Sequence, residues 1–190
     1  MAGGYVNFVA RGASTDQILD FLRSSGRTAY VAEAAADVIV FDKQCEEMDE
    51  REICDLAVEL SAVGGCPVLG VCVFSDDILR YWLAANGAIQ DQYNSSPGYF
   101  DSNATTVAPP TPANVDVLCK AFGSSLTSEV ASVLAKTIEA EDCYAFESER
   151  HASLAALLTI SATVVWNTYS NIAERDFTDR QEPPRLKHVP

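Results

Sequence analysis

The stretch Val68 to Phe74 (Val-Leu-Gly-Val-Cys-Val-Phe) is apolar from end to end. It falls far short of the ~20 residues of a membrane span, and its β-branched content favours a strand over a helix segment. A strand without polar alternation is one covered on both faces, so this run predicts the centre of a sheet. With 48% apolar and 21% charged side chains among 190 residues, the chain has the material to cover it. A folded domain of this length buries roughly 70% of its unfolded surface, so its core needs neither metal nor disulfide.

Elements of both kinds surround that strand. Tyr5 to Val9 reads as a first strand, since Tyr, Val and Phe suit a pleated surface. Ser14 and Gln17 have capping-box spacing for a helix with Ile18, Phe21 and Leu22 on its apolar stripe, and Gly26 ends it. Thr28 to Ala32 and Asp37 to Phe41 read as two short strands. Asp49 and Glu52 open a second helix, with Ile53, Leu56, Ala57, Leu60 and Val63 at helical spacing before Gly64-Gly65. Ile78 to Ala85 and Ala88 to Tyr93 flank Asn86-Gly87, the strongest short hairpin signal. Asn94 to Pro112 is a long loop, and long loops in compact domains are functional or mobile. Four helices are expected beyond it. One opens at Thr111-Pro112, one carries Leu126, Val130, Val133, Leu134 and Ile138, one carries Leu154, Leu157 and Leu158, and one runs from Val164 to Ala173. The expected architecture is α+β: a mixed β-sheet with a hairpin at 78–93 and helices on one face, followed by a C-terminal helical part. Residues 1–175 form a single domain in this reading, sheet-containing over 1–105 and helical over 106–175, with 176–190 a flexible tail.

Asp and Glu number 27 against 13 Lys and Arg, a formal net charge of −14. Such a chain repels nucleic acid and anionic membranes, so neither is expected as a partner. The opening residues lack the basic and apolar regions of a signal peptide, so a cytoplasmic protein with reduced thiols is expected. The six cysteines form no C-x-x-C pair and accompany no histidine cluster. Cys54, Cys66, Cys72 and Cys119 read as small hydrophobes, and no metal or cofactor is implied. Nothing in the sequence sets the oligomeric state.

A two-residue turn at Asn86-Gly87 pairs Ala85 with Ala88, Trp82 with Asp91 and Arg80 with Tyr93. Alternation then places Arg80, Trp82, Ile89, Asp91 and Tyr93 on one face. Its aromatic and charged groups suit a binding patch, with Tyr99 and Phe100 supplied by the following loop. The bland alternative is an edge hairpin on which Arg80 and Asp91 pair.

Candidates for chemistry are weaker. Asp76 and Asp77 end the central strand, where paired carboxylates bind a cation, exchange a proton or cap the next element. Glu147 and His151 are i, i+4 neighbours on a helix, too few ligands for zinc by themselves. No G-x-S-x-G elbow exists to serve a His151 triad. His151 to Ile172 imitates a helix-turn-helix, yet its would-be recognition segment, Val164 to Asn171, carries no basic residue. Eight acidic residues between Asp42 and Glu59 face only Lys43 and Arg51, which reads as a solvated face or a docking surface for a basic partner.

Asp76-Asp77, Tyr81-Trp82, Asn86-Gly87 and the run Asp91-Gln92-Tyr93-Asn94-Ser95-Ser96-Pro97-Gly98-Tyr99-Phe100 together resemble a signature of an uncharacterised bacterial protein family of unknown function. Phe146-Glu147-Ser148-Glu149-Arg150-His151, followed by Leu154-Ala155, resembles a second signature of that family. Beyond the third helix this chain departs from the pattern, with Thr159 and Asn167 where glycines are expected. The resemblance implies a small cytosolic α/β domain and brings no catalytic residues. The leading expectation is a non-catalytic binding or regulatory domain that contacts a protein or small ligand through Arg80, Trp82, Asp91, Tyr93, Tyr99 and Phe100. The alternative is a small hydrolase-type or metal-assisted enzyme using Asp76, Asp77, Asp91 and His151. A helix-turn-helix DNA binder comes third, disfavoured by the acidity.

Overall fold

The computed structural model describes residues 4–101, 108–137, 143–178 and 181–190. Seven strands form one sheet: β1 (Tyr5–Arg11), β2 (Ala29–Ala34), β3 (Asp37–Asp42), β4 (Val68–Phe74), β5 (Ile78–Ala85), β6 (Ala88–Asn94) and β7 (Lys187–Val189), in the order β6-β5-β4-β1-β3-β2-β7. The fold is α+β, but the sheet is not mixed: every pairing is antiparallel. Two helices lie in the first half, α1 (Thr15–Ser24) and α2 (Glu50–Gly64). The unit β1-α1-β2 skips over β3, and β3-α2-β4 skips over β1. This is the split β-α-β pattern of ferredoxin-like folds, here widened by the β5–β6 hairpin and by β7.

α1 and α2 cover one face, packing Ile18, Leu22, Ile53, Leu56 and Leu60 on Val6, Phe8, Val31 and Val68. The apolar run thus becomes β4, buried on both faces between β1 and β5. Gly70 within it lets the layers close: a Cβ there would lie 3.1 Å from the Phe8 ring and 3.5 Å from Ala57 of α2. Asp49 caps α2 through Arg51 and Glu52 N–H, as the spacing predicted. Ser14 occupies the N-cap of α1 but makes no side-chain cap bond, so its capping box is not formed.

The C-terminal helices cover the opposite face. They are α3 (Val115–Phe122), α4 (Thr127–Ala135), α5 (Glu147–Leu157) and α6 (Tyr169–Glu174). Leu118, Phe122, Val130, Leu134, Leu154 and Ile172 share one core with Tyr5, Val71, Leu79 and Tyr81. α3 starts after an Asn114 cap, not at Thr111-Pro112. Ile138 lies outside the described residues. The helix expected over 164–173 is divided: a 3₁₀ turn at Ala162–Val164, then Trp166 with positive φ, then a six-residue helix opened by Thr168. That break leaves no continuous recognition helix. The tail is also corrected. Lys187 to Val189 pair with β2 because Val189 finds a fully buried site and Lys187 reaches Glu33 at 2.9 Å.

Candidate functional site

The Asn86-Gly87 turn forms with positive φ at both residues, and Ala85 faces Ala88 as expected. Beyond Ala84↔Ile89 the register slips by one. Leu83 faces Asp91, Trp82 faces Gln92 and Tyr81 faces Tyr93. Gln90 is the extra residue of a β-bulge, and a one-residue slip sends every later side chain to the other face. The strip of Arg80, Trp82, Asp91 and Tyr93 is therefore divided between two faces.

Asp91 and Tyr93 turn toward the C-terminal helices. Asp91 accepts the Tyr81 hydroxyl at 2.7 Å and the Asn114 N–H at 3.0 Å, which anchors the start of α3. Arg80 does not pair with it; the Arg80 guanidinium meets Glu50, the first residue of α2. Tyr93 stacks on Tyr81 at 5.4 Å, and its hydroxyl donates to the Leu134 carbonyl at 2.9 Å. At 3% exposure Tyr93 is a core residue, and so is Trp82 at 7%. Neither is a free contact side chain, although the Trp82 edge helps line a cleft of about 410 Å³ beside Arg80, Gln92 and Asn94.

The turn after β4 and the start of α5 meet behind Tyr93. Ser75 and Asp76 turn the chain from β4 into β5 with positive φ. The Asp76 carboxylate then accepts Ser148 N–H at 2.7 Å and Ser148 O–H at 3.2 Å, while its carbonyl accepts Glu147 N–H at 3.0 Å. Asp76 thus caps α5 from a distant turn. One turn into α5, Arg150 is buried with every arm engaged. Its Nε donates to Glu147 at 2.7 Å, Nη1 to the Val133 carbonyl at 2.7 Å, and Nη2 to the Lys136 carbonyl at 2.9 Å. Burial pushes the Glu147 carboxyl above its usual range, and Arg150 opposes that shift. Sequence reasoning missed Arg150; the signal was a cation three residues after Glu147 and one turn before Leu154 on the inward face of the helix.

His151 lies beyond this network. It is 1% exposed, stacks on Tyr5 at 5.6 Å, and shares a 2.9 Å hydrogen bond between Nδ1 and the Tyr5 hydroxyl. Burial pulls its pKa down to about 3, so the ring is neutral at neutral pH. The four acid–base candidates therefore occupy separate posts. Asp76 caps a helix, Asp77 is exposed and accepts the Tyr99 hydroxyl at 2.8 Å, Asp91 anchors α3, and His151 is held in the core. Among the described residues, no three His, Cys, Asp or Glu side chains converge as a metal site.

On the α2 side of the sheet, the chain after β6 presents aromatic rings to solvent. Phe100 is 60% exposed and Tyr99 45%. Phe74 braces Phe100 edge-on at 5.3 Å, and Tyr99 meets Phe100 at 5.1 Å. The Arg80 guanidinium lies 5.5 Å from the Phe100 ring centre. Its Nε is buried with no hydrogen-bond partner. Arg80 and Phe100 also border a second, open cleft of about 710 Å³, floored by Met48, Cys72 and Phe74 and rimmed by Glu47, Asp49 and Glu50. Neither Phe74 nor Glu50 was expected beside Arg80. Phe74 read as a strand end and Glu50 as part of a solvated face or a docking surface for a basic partner, and only the tertiary fold brings them to Arg80.

No protein-family model, curated protein or solved structure matches this chain. No helix among the described residues is long and apolar enough to cross a membrane.

Proposed function

We propose that the protein is a non-catalytic binding domain that contacts its partner through the surface around Arg80, Tyr99 and Phe100. The observation that carries this reading is the exposed Phe100–Tyr99 pair, braced by Phe74 and by a largely buried guanidinium, with Phe100 on the border of an open cleft. Clustered exposed aromatics mark contact surfaces, and aromatic and Arg side chains supply most interface hot spots. Asp91 and Tyr93 are framework in this reading, and Trp82 contributes only its edge. The resemblance to a bacterial family rests on stretches that frame this surface (Asp76-Asp77 and the run ending in Tyr99-Phe100). It adds no activity.

The test is co-purification of the wild type and a Tyr99→Ser, Phe100→Ser variant, with bound proteins and small molecules identified by mass spectrometry. Both rings are exposed, so the variant should melt with the wild type. The expected result is a species held by the wild type and lost from the variant. Identical sets of co-purifying species at equal melting temperature would overturn the reading.

A further inference from the structure

The chemistry around the Phe100 cleft points to the charge of its occupant. One rim carries three exposed carboxylates, Glu47, Asp49 and Glu50, against the exposed Arg51, and Asp77 stands exposed beside Tyr99. The basic groups nearby are already matched: Arg80 meets Glu50, and Arg51 turns to Asp55 at 3.7 Å. The N-terminus of α2 offers nothing to an anion, because the Asp49 carboxylate already accepts the Arg51 and Glu52 N–H groups. An anionic ligand would have to displace Glu50 and approach a chain of net charge −14. A cationic one meets the rim carboxylates beside an aromatic cluster that already holds one cation, Arg80, over its Phe100 ring. Met48 and Phe74 on the same floor give an apolar side chain its place, since thioether and aromatic surfaces adapt to varied partners.

We infer that the occupant is a basic segment of a partner protein, carrying Lys or Arg side chains for the Glu47–Glu50 rim and an apolar side chain for the Phe74–Phe100 floor. This inference rests on the binding reading above. It adds the partner's chemistry and predicts fast, salt-sensitive association, because exposed complementary charges steer encounter and are screened by salt.

The probe is a dye-labelled peptide of about twelve residues, long enough to span one cleft, in which Lys and Leu alternate. Two companions replace Lys by Glu or Leu by Ser. Binding is read by fluorescence anisotropy on the full chain, with melting curves to confirm folding. The Lys-Leu peptide should bind, and should weaken roughly tenfold between about 50 mM and about 300 mM salt. Glu47→Lys and Phe100→Ser should each weaken it roughly fivefold, whereas Glu129→Lys, an equal charge change on α4 across the sheet, should not. If the Glu-Leu peptide binds as tightly as the Lys-Leu peptide while Phe100→Ser still weakens both, the basic partner is refuted and the binding surface stands. If Phe100→Ser changes nothing, the surface itself fails. If the Lys-Ser peptide binds equally well, or Glu129→Lys weakens binding as much as Glu47→Lys, the general acidity of the chain accounts for association and the inference falls.

Discussion

Thr159 sits just past the end of α5 with φ +56, in the left-handed region. A β-branched residue is costly there, and the position after a helix end is one that glycine fills most readily. Thr159→Gly should raise stability by roughly 0.5–1 kcal/mol, because relief of strain exceeds the entropy cost of glycine. In a chain of this size that is roughly 1–4 °C in melting temperature. The lost contact is small, a 3.4 Å bond from Arg11 to the Thr159 hydroxyl. A lower melting temperature for the variant would show that the strain is not real. At this scale the sequence was partly legible. Asn86-Gly87 announced positive φ because those residues tolerate it, whereas Thr159 and Trp166 adopt positive φ that no local propensity favours.

Among elements, the neighbouring aspartates divide the labour. Asp76 holds the first turn of α5 through Ser148 and Glu147, while the exposed Asp77 carboxylate accepts the Tyr99 hydroxyl at the surface, so its loss should be mild. Asp76→Ala should cost about 1–3 kcal/mol, the range for a lost helix cap plus a stranded buried donor. Asp77→Ala should stay within about 0.5 kcal/mol, as exposed substitutions do. Urea denaturation of both variants checks this, and equal losses would refute the remote cap. Helix stripes and the apolar strand were readable because their periods are local. The face of each β6 residue was not, since a bulge depends on pairing with β5 and leaves no mark in the periodicity. The division of 164–173 into a turn and a short helix was hidden for a similar reason: Asn167 and Asn171 bond each other at 3.0 Å inside the fold, a contact no stripe foretells.

For the whole molecule, a sheet with helices on both faces is tied together by a few long-range groups. Arg11 at the end of β1 pairs with Asp37 and donates to the Phe122 carbonyl at 2.8 Å and the Leu158 carbonyl at 3.1 Å. One guanidinium thus closes the C-terminal ends of α3 and α5, where a cation suits the exposed carbonyls. Which sheet face the C-terminal helices would choose was not legible, because an apolar stripe specifies burial but not its partner. The second edge of the sheet was also unreadable. β7 is three residues long and polar in sequence, and only Val189 is buried. Deleting Lys187 to Pro190 should cost roughly 1.5–3 kcal/mol, the worth of one buried Val side chain. It should also bare the β2 edge, so light scattering should rise with protein concentration. An unchanged melting temperature without association would mean that β7 is ornamental to the sheet.

The bulge at Gln90 has a consequence for how this hairpin can change length. Removing Gln90 alone would leave Ile89 opposite Ala84 and Asp91 opposite Leu83, an unbroken ladder with every partner kept. Removing one residue further along, between Asp91 and Tyr93, would invert parity: the Tyr93 hydroxyl would leave Leu134 and Arg150 for the α2 side. Homologous chains are thus free to lose one residue between the turn and Asp91, where the loss removes the bulge, whereas a gap beyond Asp91 would have to come in twos.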